Sequence, residues 1–213
     1  MADDWGGTFW REDGRVQFDS DWPALCRRQK GRATGNTTIT VNGGRRPHIA
    51  IRPINCNAAI YSANRSGNNF TYQLTFFQTG AGGYCDWWVY DAPPEAPDNE
   101  DWHIEFYDTL NRVTFTTAYP PMRPVPEGAQ PSGKIYAIVP AIGPKWAEQV
   151  LTIEDTFGNV IGTDWATTLG GWIFDGSEFY TQDLATTFHF GVSSDQGYDP
   201  ALTSRVLIDV TGH

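Results

Sequence analysis

Among the residues that could do chemistry, the carboxylates come first. Glu95, Asp98, Glu100 and Asp101 crowd one short stretch, and glycoside hydrolysis needs two positioned carboxyl groups. The stretch runs from Asp91 to Asp101 and holds three prolines among five acidic residues. Proline opposes both helix and inner strand. Such a segment is poorly suited to hold catalytic groups within about half an ångström, so a solvated linker is the expectation, ahead of catalysis or calcium binding. Cys26, Cys56 and Cys85 could gather on a metal with His48. Their spacings, 30, 8 and 29 residues, contain no ligand dyad, so buried structural thiols are expected and no metal. His48, His103, His189 and His213 are scattered, and His189 should point away from Phe188 and Phe190 on its strand. Neither a Gly-x-Ser-x-Gly elbow nor a His-Glu-x-x-His helix is present. Gly80–Gly83 is expected to be a flexible turn without a phosphate-binding pattern. No catalytic, cofactor-binding or metal residue is therefore assigned, and the chain is not expected to be an enzyme.

The aromatic residues suggest binding instead. Trp and Tyr can stack on pyranose faces, and Trp87, Trp88, Tyr90, Trp165 and Trp172 are candidates. The competing expectation for the same residues is core and subunit interface, where Trp and Tyr are also enriched. Trp5, Trp10, Trp22, Trp87, Trp88 and Tyr90 are the candidate assembly or ligand surface.

The elements that must position these residues begin with a repeat. Trp5, Phe9, Arg15, Val16, Phe18 and Pro23 recur, 97 positions later, as Trp102, Phe106, Arg112, Val113, Phe115 and Pro120. Each copy reads as a hairpin. An aromatic strand enters a turn at Asp13-Gly14 or at Leu110-Asn111-Arg112, where Gly or Asn supplies positive φ. The return strand alternates, with Val16 and Phe18, or Val113 and Phe115, on one face. Ile153–Ile161 reads as a further, generic hairpin.

Other strands are expected at 37–41, 49–53, 58–61, 70–77, 85–90, 134–139, 149–153, 172–174, 186–192 and 205–210, with one helical turn at 145–149. Short strands joined by Gly- and Pro-rich turns predict an all-β fold, a jelly-roll-like β-sandwich. The repeat admits two sandwich units, 1–92 and 102–213, joined by the acidic linker 93–101. The alternative is one interleaved domain.

With 213 residues, 15 Lys and Arg and 25 Asp and Glu, the chain is large enough to bury a core without disulfides. Its formal charge of −10 argues against a nucleic-acid partner. The basic runs Arg27–Arg32 and Arg45-Arg46 are expected to be solvated loops, the first able to dock an acidic neighbour. Neither a secretory signal nor an apolar run of membrane-spanning length is expected.

The segment Trp5 to Arg27, with its Phe18-Asp19-Ser20 strand end, resembles the opening of a family of uncharacterised minor tail, or tail-tip, proteins of long-tailed bacteriophages. Phe106 to Arg123 resembles it more weakly, since Asn111 replaces the glycine and Thr116-Thr117 replaces Asp-Ser. The resemblance implies a virion structural protein made in the bacterial host cytoplasm and working by assembly, without catalytic residues. Its partners would be other tail proteins and copies of itself, in a ring or trimer. The alternative is a module that binds carbohydrate or a host-surface receptor glycan.

Overall fold

The computed structural model describes residues 8–10, 16–19, 23–94, 103–108, 110–126, 131–140, 145–154, 156–176, 178–192 and 205–213. Over these the chain is all-β, as expected, with thirteen strands. These are β1 (Thr8–Trp10), β2 (Val16–Asp19), β3 (Cys26–Ala33), β4 (Thr37–Val41), β5 (His48–Ser66), β6 (Asn69–Asp91) and β7 (Glu105–Tyr107). They continue with β8 (Val113–Thr116), β9 (Tyr136–Pro140), β10 (Lys145–Glu154), β11 (Val160–Phe174), β12 (Phe179–Val192) and β13 (Arg205–Asp209). Nine strands share one antiparallel sheet, while β1–β2 and β7–β8 form two separate two-stranded sheets.

The spine is the long hairpin β5–β6. Ser66 pairs with Asn69 across a two-residue turn, and Gly67 at its first position has φ +60°, the geometry that glycine supplies to a type II′ hairpin. Sequence patterning split each of these strands in two. What joins the halves is a bulge: Ile54 pairs with Tyr84 and Cys56 with Thr79, so Asn55 alone opposes Gly80–Gly83. The glycine run is thus not a turn between strands but the extra length of one strand, inserted where the hairpin bends. Two further expectations are corrected. Residues 145–149 belong to strand β10, whose register with β11 holds Lys145 to Leu169 and Gln149 to Trp165. The basic run 27–32 is strand β3, laid antiparallel on β6.

The hydrogen bonding closes on itself. β5 pairs with β6, and β6 with β3. The chain just before and at the start of β3 then pairs with the proline-rich segment 120–125: Arg27 N–H donates to Pro120 O (2.8 Å) and Met122 N–H to Leu25 O (2.7 Å). The other edge of that segment meets β13, with Val125 N–H to Leu207 O (2.8 Å) and Asp209 N–H to Arg123 O (2.9 Å). β13 pairs with β9, and Ile138 of β9 pairs with Ile51 of β5. The result is a small closed barrel. Every wall contributes to one buried cluster: Ala50, Trp88, Tyr90, Ala137, Ile208 and Val210, with Leu25, Met122 and Val139 against them. Alternation along each strand puts these residues inside, as the side-chain-filled interior of a narrow barrel requires.

The opposite faces of β5, β6 and β9 carry Ile49, Ile51, Val89 and Ile138 into a second, larger cluster with Ile39, Ile60, Tyr72, Leu74, Trp172 and Phe179. The bent hairpin thus packs one layer of the sheet on another. Trp172, 1% exposed, joins the later strands to this core, and it is also where β11 pairs with β5, opposite Ala58. Burial of one such large side chain stabilises by roughly 1.5–3 kcal/mol. Strands from before and after 93–101 share this sheet; of that segment Ala92's neighbour Pro93 is buried, and 95–102 lie outside the described residues.

Candidate functional site

The repeated hairpin is reproduced residue for residue. In the first copy Thr8 pairs with Asp19, Phe9 with Phe18 and Trp10 with Val16, with a register shift after Phe9. In the second Glu105 pairs with Thr116, Phe106 with Phe115 and Tyr107 with Val113, with a shift after Phe106. All three pairs and the bulge coincide at the 97-residue offset. The exits of the two copies also meet: Leu25 and Met122, equivalent by the repeat, are direct hydrogen-bonded partners.

In the second copy the turn is built by Asp108. Its Oδ1 accepts the N–H of Leu110 and of Arg112, each at 2.9 Å, and Oδ2 accepts Arg112 Nε at 2.6 Å. The Arg112 guanidinium and those backbone donors hold the Asp108 carboxyl below its ordinary range. Asn111 then takes φ +58°, which an Asn tolerates better than most residues. The hairpin is fixed to the body by its return strand: Val113 on one face and Thr114 and Thr116 on the other are buried, and Ala24 N–H donates to Thr114 O at 2.7 Å. The Phe106 and Phe115 rings meet at a tilt, with centroids 5.9 Å apart and planes at 55°. Elsewhere the hairpin is open. Ile104 is 61% exposed, Tyr107 44% and Leu110 69%. Among the described strands β7 pairs only with β8.

Beside this hairpin lies a cleft of about 360 Å³, lined by Arg45, Arg46, Asn68, Asp108, Arg112 and Thr114. The loop carrying the first two arginines is anchored by Asp91. That carboxylate is fully buried and accepts Arg45 N–H at 2.9 Å, Arg46 N–H at 2.6 Å and Ala92 N–H at 2.8 Å. Arg45-Arg46 is a short loop, as expected, but Arg45 is half-buried and its Nη1 is shielded from solvent without a hydrogen-bond partner.

The aromatic candidates divide. Trp88 and Tyr90 point into the barrel and Trp172 into the larger core, so none of the three offers a ring face to a sugar or a neighbour. Tyr90 Oη is 2.7 Å from His213 Nδ1 inside the chain. Trp87 is half-buried, its indole laid across Gly31 of β3. Trp5 and Trp22 lie outside the described residues, as do Glu95, Asp98, Glu100 and Asp101; of Trp10, Trp165 and His189 only the backbone is described. Cys26, Cys56 and Cys85 are free and buried. Burial pushes the Cys26 thiol up to about 12 and raises the other two. Among the described residues no group of three His, Cys, Asp or Glu side chains could hold a metal, and no helix is long and apolar enough to cross a membrane.

Sequence reasoning missed Ile104, Leu110 and the arginine cleft. Leu110 sits at the tip of a turn that the sequence did identify, where an apolar side chain has nothing of its own hairpin to cover it. Comparison with protein-family models, with curated proteins and with solved structures found no match.

Proposed function

We propose that this chain is a structural component of a bacteriophage virion, a minor tail protein of the tail tip or fibre-attachment region, acting by protein–protein assembly rather than catalysis. The observation that carries the proposal is the duplicated hairpin. The Trp5–Arg27 segment resembles the opening of phage tail proteins, and its hairpin register recurs at β7–β8. An isolated two-stranded hairpin is marginal in water. Here the return strand is tied to the body, while Ile104, Tyr107 and Leu110 stay exposed. Clustered exposed apolar residues are a feature of surfaces that take a neighbouring subunit. Copies of the chain and other tail proteins are the proposed partners, in a ring or trimer.

Quantitative mass spectrometry of gradient-purified particles tests this. Peptides of the chain at a few copies per particle, together with tail proteins, are expected; their absence from particles overturns the proposal. The hairpin's part is tested with Leu110→Asp. It should retain the melting temperature of the parent and lose incorporation into particles.

A further inference from the structure

We infer that copies of this chain associate head to tail, the acidic strands β10–β12 of one copy docking on the basic face that β3 and its neighbours present on the next. The inference rests on the self-association in the assembly proposal and names its two surfaces. Its ground is a segregation of charge. From Trp22 to Cys85 the chain holds eight Lys and Arg residues and no Asp or Glu, although its formal charge is −10. From Lys145 to Val192 it holds one Lys, no Arg, and seven Asp and Glu. These stretches supply opposite ends of one sheet, whose hydrogen-bonded path runs β10-β11-β5-β6-β3. Strand spacings of about 4.8 Å put the ends roughly 19 Å apart along the sheet. That exceeds the ~8–10 Å over which exposed charges act in salt, so neither end neutralises the other within a copy.

At the basic end Lys30 pairs with Trp88, and Arg32 and Arg52 both pair with Asp86, so these three cations share one face of the sheet. The carboxylates of β3–β6 are Asp86 and Asp91. Asp86 holds Arg32 at 2.7 Å, and Asp91 is buried on backbone N–H groups. Burial first, and then the charges of Arg123, Arg27 and Lys30, hold the His213 ring below its ordinary range, which gathers these three cations around one end of the barrel. Lys30 and Arg123 are exposed. Among the described residues no carboxylate pairs with Arg27, Lys30 or Arg123. At the acidic end Glu154 and Glu178 are exposed. Phe157, 89% exposed at the β10–β11 turn, gives that end an apolar anchor. Complementary charge steers and orients an encounter, and a buried aromatic anchor supplies much of its affinity. An external polyanion accounts for the basic face alone, whereas a second copy accounts for both ends. Because the two surfaces differ, each copy uses both, and the contact repeats around a ring or along a fibre.

Analytical ultracentrifugation of the whole chain in about 50 mM and about 0.5 M sodium chloride tests this. Mass that rises with protein concentration, and falls back to the monomer in the higher salt, is expected. Lys30→Glu with Arg123→Glu turns the basic end acidic, and Glu154→Lys with Glu178→Lys turns the acidic end basic. Each double variant alone should keep the parent's melting temperature and associate at least about tenfold more weakly. Mixed in equal amounts the two should associate again, because each supplies the end that the other lacks. Phe157→Ser should weaken association without any change of charge. Should a double variant fail to fold, the salt series and Phe157→Ser still decide. A parent that stays monomeric in low salt, or a mixture no better than its components, overturns the inference. So does a monomeric parent that binds single-stranded DNA, since the basic face then belongs to nucleic acid. Particle mass spectrometry reads the tail proposal separately: association in solution with absence from particles defeats that proposal alone, and presence in particles with a monomeric chain defeats this one alone.

Discussion

Gly31→Ala should destabilise the chain, although the change is mild and alanine is the better strand residue. Gly31 pairs with Trp87 across β3 and β6, and the indole lies over its Cα. A Cβ built there falls 2.3 Å from Cζ2 of Trp87, 2.6 Å from Cε2 and 3.0 Å from Nε1. Carbon atoms in contact prefer about 3.5–4.0 Å, so the ring must withdraw by roughly 1 Å or more. It would leave its packing against the larger core, where Trp87 is a half-buried member. Overpacking of this kind costs about 1–3 kcal/mol. Alanine returns about 0.4–1 kcal/mol by restricting the unfolded chain. The net loss is about 0.5–2 kcal/mol, and at about 2–4 °C per kcal/mol for a chain of this size the midpoint should fall by about 1–8 °C. Urea or thermal unfolding followed by tryptophan fluorescence measures it. The deciding control is Trp87→Leu. With the indole gone, the added methyl meets nothing rigid, and Gly31→Ala should become stabilising by about 0.4–1 kcal/mol. Equal cost on both backgrounds, or no cost in the parent, would refute the idea that the stacked indole is what demands glycine.

Three other perturbations follow from the same geometry. Asp91→Asn keeps the shape but turns one acceptor into a donor facing a backbone N–H, of Arg45 or of the Arg46 and Ala92 pair; a loss of about 2 kcal/mol, or about 4–8 °C, should appear in thermal melts. Asn111→Val forces a β-branched residue into φ +58° and should cost about 1–2 kcal/mol, while Asn111→Gly should be neutral or stabilising, both read from urea midpoints. Alkaline stability should fall early. The Cys26 thiol and the Tyr72 phenol are each pushed up to about 12 by burial, against about 8.5 and 10 in the unfolded chain. Below about pH 8.5 both states hold these protons and the contribution is whole; from there to about pH 12 only the unfolded chain releases them, so stability declines. Urea midpoints at pH 7, 9 and 10.5 should therefore fall in order, and Cys26→Ala should flatten the first part of the slope.

How much of this was legible in the sequence depends on how local each feature is. The repeated hairpin was legible because its register needs only a turn and facing aromatic residues within a dozen positions: Phe106 and Phe115 find each other through the Asp108–Arg112 turn. The strand alternation of β4 and the distal half of β6 was legible for the same reason, since one face is buried and one is wet. Continuity was harder to see. A run of three glycines and an alanine resembles a loop, and only pairing with β5 on both sides makes it a bulge inside β6. The burial of Trp88 and Tyr90 was open because aromatic residues serve core and surface equally well, and what decides between them is closure of the barrel.

That closure was the least legible feature, and the reason lies in Pro120, Pro121 and Pro124. Proline removes a backbone donor, so a segment holding three of them within five residues speaks against a strand. Yet successive residues of a strand aim their backbone groups at opposite neighbours, and a wall strand needs donors only where a ladder uses them. Met122 donates to Leu25 on one side and Val125 to Leu207 on the other, while Pro120 and Arg123 serve as acceptors, of Arg27 and Asp209. Pro121 and Pro124 sit opposite Cys26 and Ile208 at non-hydrogen-bonded positions, where the ladder does not call on the missing N–H, and Pro120 opens the segment using its carbonyl alone. They pre-set the extended backbone, lower the entropy lost on ordering it, and leave the donors that join β3 to β13. A composition that opposes an inner strand in general therefore suits this one, because it is short, is met by a partner on each side, and exists to complete a ring rather than to extend a sheet.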